Sequence, residues 1–339
     1  MHPTHSHLLV SVLEDHTDDS PSTVITTLCI INTTTKTVSS LVSGADFYAC
    51  PKFSPDGTRI AWQQWFHPDM PWEGAEIYIA DVMIKSDIVT LTNTVYVAGE
   101  KEKVSVSYPG WASNHVLLFT SDKSGYLNPW KYSGGKATPV LPEPIPQDFG
   151  GPAWCLGWSP YAVLDTAGKS ALFTARKDGR SILYLVDLTG GSKPQEVDCP
   201  YVDVENLRRV SSEKPEVVFT ADDKLSVVLC RLSSSVAPSR PAFTTLKSAT
   251  ARSAVEFPPE IISVPRPMTL KVPPQGEPLY VVYYEPNNPE YSGTSVEGEK
   301  PPCVLNVHGG PTGFTGQGLD WKKQYFTSRG WAWQVIHQL

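Results

Sequence analysis

The chain has 339 residues, of which 40% are hydrophobic and 19% charged, and a formal net charge of −7. This is too apolar for intrinsic disorder and long enough for two domains, each with its own core. The acidic balance and the lack of a Lys/Arg block argue against a nucleic-acid partner, and loose basic pairs such as Arg208-Arg209 and Lys322-Lys323 read as solvated faces. Six cysteines (Cys29, Cys50, Cys155, Cys199, Cys230 and Cys303) show no CxxC spacing, which predicts free thiols rather than a disulfide frame. The first residues lack a basic stretch leading into an apolar run, and no segment reaches membrane-span length. A cytoplasmic protein without a membrane partner is expected.

His2, His5, His7 and His16 are scattered through what reads as a mobile N-terminus, with no metal-ligand spacing. VITTLCII and KTVSSLV, before residue 45, are strand candidates. A looser repeat then begins. CPKFSPDGTRIAWQQW (50–65) is followed by EIYIADV from Glu76; YPGWASNHVLLFTSDKSGYLNPWKY starts at 108 and CLGWSPYAVLDTAGKSALFTARKDGRSILYLVDL at 155. A fainter copy occupies 204–232. Each copy has an aromatic-containing lead, a polar turn, an apolar strand, a second turn and an alternating strand. In SILYLVDL, Ile182, Tyr184 and Val186 share one face, and Leu183, Leu185 and Asp187 the other. Asp56-Gly57 and Asp178-Gly179 are hairpin-turn signals. The anchors Phe53, Trp111 and Trp158 recur about every 50 residues, the period of four-stranded propeller blades. A large β-sandwich with regularly spaced strands is the alternative. Glu73, Glu76 and Asp81 follow Trp72 in a blade without a spacing that selects a role. Asp122 and Asp178 read as turn residues.

From 233 to 260 the chain turns Ser- and Pro-rich, room for one last propeller strand and then a domain boundary. Apolar strand candidates follow at Glu260–Val264, Leu279–Tyr284 and Cys303–Val307, the last two separated by a polar loop. Gly318 to Ser328 has helical spacing through Leu319, Lys322/Lys323 and Phe326, with Gly330 as its stop. WAWQV then begins another strand. Strand, turn, helix, strand is βαβ logic. The predicted architecture is therefore a β-propeller over residues 1–255, followed over 256–339 by the N-terminal part of an α/β-hydrolase domain.

The sharpest chemical signal is PCVLNVHGGPTGF (302–314), an apolar strand running into His-Gly-Gly-Pro. Two glycines let backbone N–H groups face outward at a strand end, which is what an oxyanion site requires, and Pro311 stiffens the exit. HGG-type loops after the third strand supply one such donor in α/β-hydrolases. HGGPTGFTGQGLDWKKQYFTSRGWAW resembles the opening of the catalytic domain in the prolyl oligopeptidase family (peptidase family S9), above all its acylaminoacyl-peptidase and dipeptidyl-peptidase-like branches. FSPDGTRIAW with EIYIADV resembles that family's propeller blades. The resemblance implies a serine peptidase whose propeller restricts access to short peptides or acyl-peptides. It makes Gly310 the backbone oxyanion donor and Gly309 the residue that shapes the turn, with His308 orienting the loop rather than serving as base.

The chain departs from the family in one decisive respect. Only 29 residues follow Gly310, and no G-x-S-x-G elbow occurs; Gly157-Trp158-Ser159-Pro160-Tyr161 lacks the second glycine. Nucleophile, acid and base are all missing, so the chain reads as truncated in its catalytic domain and inactive by itself. The alternative function is a non-catalytic propeller used as an interaction module, with a vestigial hydrolase segment. No P-loop, dinucleotide fingerprint or zinc spacing is present, so no cofactor or metal is expected. Nothing in the sequence sets an oligomeric state.

Overall fold

A computed structural model describes residues 1–151, 157–221, 226–233, 240–248, 258–291, 293–294, 296–307, 309 and 316–337. Five antiparallel meander sheets come first. The first has three strands: β1 (Leu8–Asp15), β2 (Ile25–Asn32) and β3 (Thr37–Val42). The second holds β4 (Phe47–Phe53), β5 (Arg59–Trp65), β6 (Glu76–Lys85) and β7 (Ile88–Gly99). The third holds β8 (Val106–Ser113), β9 (Val116–Ser121), β10 (Asn128–Ser133) and β11 (Lys136–Pro139); the fourth, β12 (Tyr161–Val163), β13 (Ser170–Lys177), β14 (Arg180–Asp187) and β15 (Gln195–Val197). The fifth holds β16 (Val204–Arg209), β17 (Glu216–Ala221), β18 (Ser226–Arg231) and β19 (Ala242–Lys247). These are propeller blades in chain order. A sandwich would instead gather the strands into two sheets.

The stacking follows from the two-residue period of a strand. Along β13, Ala171 and Phe173 face the third blade's Tyr108, Leu118 and Phe149, while Leu172 between them faces the fifth blade's Val217 and Phe219. In β14, Ile182, Tyr184 and Val186 join the first of these clusters and Leu183 and Leu185 the second, so both faces of the strand are core. The pattern repeats one blade earlier: Leu117 and Phe119 pack on Ile77 and Val97 of the second blade, Leu118 on the fourth. Ile60 and Trp62 pack against Leu28 of the first. The second, third and fourth blades are thus each the filling between two neighbours. Asp178 and Gly179, both at positive φ, close the β13–β14 hairpin in the manner of a type I′ turn, as their sequence suggests.

A sixth sheet follows, also of four strands: β20 (Arg266–Val272), β21 (Glu277–Tyr284), β22 (Cys303–Val307) and β23 (Ala332–His337), with α1 (Trp321–Thr327) joining β22 to β23. Its spatial order is β20-β21-β23-β22, antiparallel except for the parallel β22–β23 pair. This is the opening of an α/β-hydrolase sheet. The chain is therefore a β-propeller followed by the N-terminal part of an α/β-hydrolase domain. The domain boundary read at 255/256 lies outside the described residues.

Two local expectations need correction. Glu260–Val264 is not a strand: a 3₁₀ turn spans Pro259–Ile261, and the strand begins at Arg266. Prolines at 258, 259 and 265 withhold the amides a strand needs there, whereas Pro267 is tolerated because β20 is an edge strand. The N-terminus is anchored, since the buried His2 bonds through Nε2 to the Gly57 carbonyl at 3.0 Å and packs edge-on against Phe53. The five described cysteines are free, in line with their spacing.

Two measurements test this packing. Phe173→Ala empties a site enclosed by two blades and is expected to cost about 3–5 kcal/mol in denaturant unfolding, whereas Val38→Ala, on the exposed strand β3, is expected to stay within about 0.5 kcal/mol. The second concerns Asp122, just past β9. Burial pushes its carboxyl up to about 6 from the ordinary 3.8, against the lowering effect of the Ser105 N–H at 2.8 Å, with Asp148 adding a further push. A carboxyl raised in the folded state binds its proton more tightly there, so its ionisation erodes stability as pH rises through that window. Asp122→Asn, whose amide oxygen can still accept from Ser105, is expected to gain in melting temperature over the parent as pH rises from 3.8 to about 6, and to hold the gain above it.

Candidate functional site

The hydrolase segment is built around α1. Asp320 caps the helix, its carboxylate accepting from the Lys322 N–H at 2.9 Å, and Gly330 at φ 84° ends it. The buried Gln324 fixes the helix to the extended segment ahead of β20, accepting from the Ser263 N–H at 2.8 Å and donating to the Ser263 carbonyl at 3.2 Å. Phe326 packs on Val282, Tyr284, Trp333 and Val335. Lys323 is not solvated as its sequence suggests: it is buried, and its Nζ donates to the Tyr284 hydroxyl at 3.3 Å. Burial lowers the Lys323 pKa, the Asp320 carboxylate at 3.8 Å opposing it, and burial pushes the Tyr284 phenol up to about 12.

β22 delivers the chain from this core to the predicted oxyanion loop. Gly309 is exposed, lies outside the positive-φ region, and a methyl group in its place would meet nothing within 4 Å among the described residues. His308, Gly310 and Pro311 lie outside the described residues. Past the loop, the Gln317 amide donates to the Asp178 carbonyl, tying the hydrolase segment to the β13–β14 turn of the fourth blade. On the sheet face away from α1, Leu305 and Val307 are 57% and 64% exposed, and Met268, Leu270 and Val272 are exposed on the same face. The described segment thus leaves much of that face uncovered, although Val281 on it is buried.

Sequence reasoning missed a second constellation, at the centre of the propeller. The first strands of four blades converge on a cavity of about 380 Å³ whose lining includes Lys52, Trp111, Ser159, Asp165, Arg208 and Arg209. The two arginines read as solvated are half-buried here. Arg208 donates to the Leu207 carbonyl at 2.9 Å and to the Gly157 carbonyl. A faint signal was present: Lys52 directly precedes the anchor Phe53. By contrast, Glu76 and Asp81 serve the blades, one accepting from Tyr78 and the other paired with Arg59 and Asn93. Among the described residues no cluster of His, Cys, Asp or Glu could hold a metal ion, and no helix is long and apolar enough to cross a membrane.

Comparison with known proteins places these features. No protein-family model matches the chain, and no curated sequence does. Solved structures do match. A puromycin-hydrolyzing peptidase from Mycobacterium tuberculosis is similar over 92% of this chain and 46% of its own, with 29% identity and a TM-score of 0.76. A puromycin hydrolase matches 98% of this chain and 49% of its own at 24% identity and a TM-score of 0.82. A structure from a study of two prolyl endopeptidases matches 98% and 45% at 15% identity and 0.66. The structural neighbours are peptidases of the prolyl oligopeptidase family, and the resemblance first seen in the blade repeat and HGGP holds over nearly the whole chain. The chain spans about half the length of each of these structures.

The cap is directly testable. Asp320→Ala is expected to cost about 1 kcal/mol of local stability, read as faster hydrogen exchange at the amides of Lys322 to Gln324 with the blades unchanged.

Proposed function

We propose that this chain carries the gating propeller and the oxyanion-loop strand of a serine peptidase that acts on short peptides or acyl-peptides. One juxtaposition supports the reading most: a hydrolase-type β20-β21-β23-β22 sheet has His-Gly-Gly-Pro in sequence directly after β22 and is joined to a propeller. The similarity to puromycin-hydrolyzing peptidases agrees with it, since puromycin is an aminoacyl amide. In this reading Gly310 donates its N–H to the oxyanion of a tetrahedral intermediate, Gly309 and Pro311 shape the loop, and His308 orients it. Free thiols fit a reducing, cytoplasmic setting.

The 339 residues contain no nucleophile elbow. Loss of one oxyanion donor costs about 10²–10³ in rate, but loss of a triad nucleophile costs about 10⁶. An oxyanion loop alone cannot make up that difference. The polypeptide of these residues is therefore proposed to be inert, with acyl transfer through a serine ester belonging to a longer relative.

Purified protein should hydrolyse N-acylated and dipeptidyl anilides no faster than a boiled control. Turnover above that control, abolished by a serine-directed inhibitor, would show that a nucleophile had been overlooked.

A further inference from the structure

The propeller cavity carries an inference that goes beyond the peptidase reading and does not depend on it. Its chemistry begins in a backbone irregularity shared by three blades. Between Ala49 and Lys52, β4 has three steps where β5 has two; β8 does the same between Ser107 and Gly110, and β16 between Glu205 and Arg208. Each extra residue makes a β-bulge, and the residue after its first member takes a positive φ: Cys50 at 51°, Tyr108 at 57°, Asn206 at 63°. The first residue to re-pair after the bulge is Lys52, Gly110 or Arg208. Two are cations, and the third is a glycine whose side-chain space is taken by the Tyr161 hydroxyl of the next blade.

Among the described residues neither cation has an anionic partner. Lys52 Nζ makes no hydrogen bond or ion pair among the described residues; only its backbone carbonyl is engaged, by the Trp111 indole N–H at 2.9 Å. Among the described residues Arg208 bonds only neutral carbonyls. Among the described residues, none of the groups around them forms an ion pair with either cation. Burial pushes the Cys50 thiol up to about 11, with Lys52 and Arg208 pulling the other way, so it is a neutral thiol beside both cations at pH 7. The buried Tyr161 phenol donates to the Tyr108 carbonyl at 2.7 Å and stays neutral. Asp165 is the one carboxylate in the lining, and its oxygens are occupied by the Lys169 and Ser170 N–H groups and the Ser170 hydroxyl. Arg209 is turned away, onto the carbonyls of Ser211 and Ser212.

We propose that this cavity binds a small organic carboxylate, its charge between Lys52 and Arg208 and its apolar remainder against Trp111 and Val163. The volume of about 380 Å³ falls in the range of small-molecule sites, roughly 300–1,000 Å³, and the lining sets apolar Trp111, Ala112 and Val163 beside polar Lys52, Ser159 and Arg208. The cavity reaches the β12–β13 turn through Asp165 and Thr166, at the opposite end of β13 from the turn that Gln317 contacts. The ligand would therefore sit at the mouth of the propeller remote from the hydrolase segment. A free organic acid and the C-terminal carboxylate of a short peptide share this chemistry.

Calorimetric titration of the full 339-residue protein with N-acetyl-leucine, N-acetyl-leucinamide, the tripeptide Ala-Ala-Leu and its C-terminal amide tests the assignment. At least one free acid is expected to bind, its amide about tenfold more weakly or not at all. Tripeptide binding alone would identify peptide ends as the source; N-acetyl-leucine binding, with or without the tripeptide, would make the site a general carboxylate receptor. Lys52→Gln should weaken the acid about tenfold without shifting the unfolding midpoint, and Lys52→Arg should restore it. Equal binding of acid and amide, an unchanged affinity in Lys52→Gln, or no binding of either acid at millimolar concentration would overturn the proposal.

Discussion

One extra residue in the first strand of a blade organises the centre of this molecule. A left-handed conformation at a non-glycine residue costs of order 1–3 kcal/mol, and Cys50, Tyr108 and Asn206 each adopt it at the same place in their blades. The cost is met by what the bulge releases. With Tyr108 lifted out of the ladder, its carbonyl accepts the Tyr161 hydroxyl from the next blade, which also reaches the Leu118 carbonyl at 3.1 Å. That hydroxyl occupies the space a β-carbon on Gly110 would need, at 2.5 Å, so the glycine and the tyrosine require each other. Leu207 N–H to Ser159 carbonyl at 3.0 Å and Trp111 indole to Lys52 carbonyl continue the series around the axis. The same bulges set Lys52 and Arg208 beside a neutral thiol, which gives the cavity its uncompensated charge.

Outside the axis, cohesion is hydrophobic and strictly local in sequence. Alternate residues of β5, β9, β13 and β14 are committed to opposite neighbours, so these four strands are buried on both faces while the outer strands β3, β7 and β19 stay largely solvated. No blade could bury its own faces alone. The hydrolase segment follows other rules. It relies on one short capped helix and leaves Leu305 and Val307 bare on the opposite face. A half-covered sheet is in keeping with a chain that spans about half the length of the structures it resembles.

The repeat was legible because its signals are local: aromatic anchors, Asp-Gly turns and strict alternation. The β22–α1–β23 unit was legible for a similar reason, since an apolar run, a cap, a glycine stop and a second apolar run occur in order. Strand β20 was not, because RPMTLKV holds a proline that argues against a strand until its edge position is known. The burial of Lys323 and Arg208 was also hidden. Each is a charge whose partner is a distant phenol or carbonyl, Tyr284 in one case and Gly157 in the other, and composition shows neither. The axial cavity escaped for the same cause, as four blades must meet before it exists.

The central claim is that the chain holds the lid and the oxyanion strand of a serine peptidase and none of its nucleophilic chemistry. Labelling with a fluorophosphonate probe, which modifies only serines activated by a base, tests this most directly, with the puromycin-hydrolyzing peptidase as positive control. The account predicts one label per chain on the control and none on this protein. Stoichiometric modification of any serine among these 339 residues would contradict it.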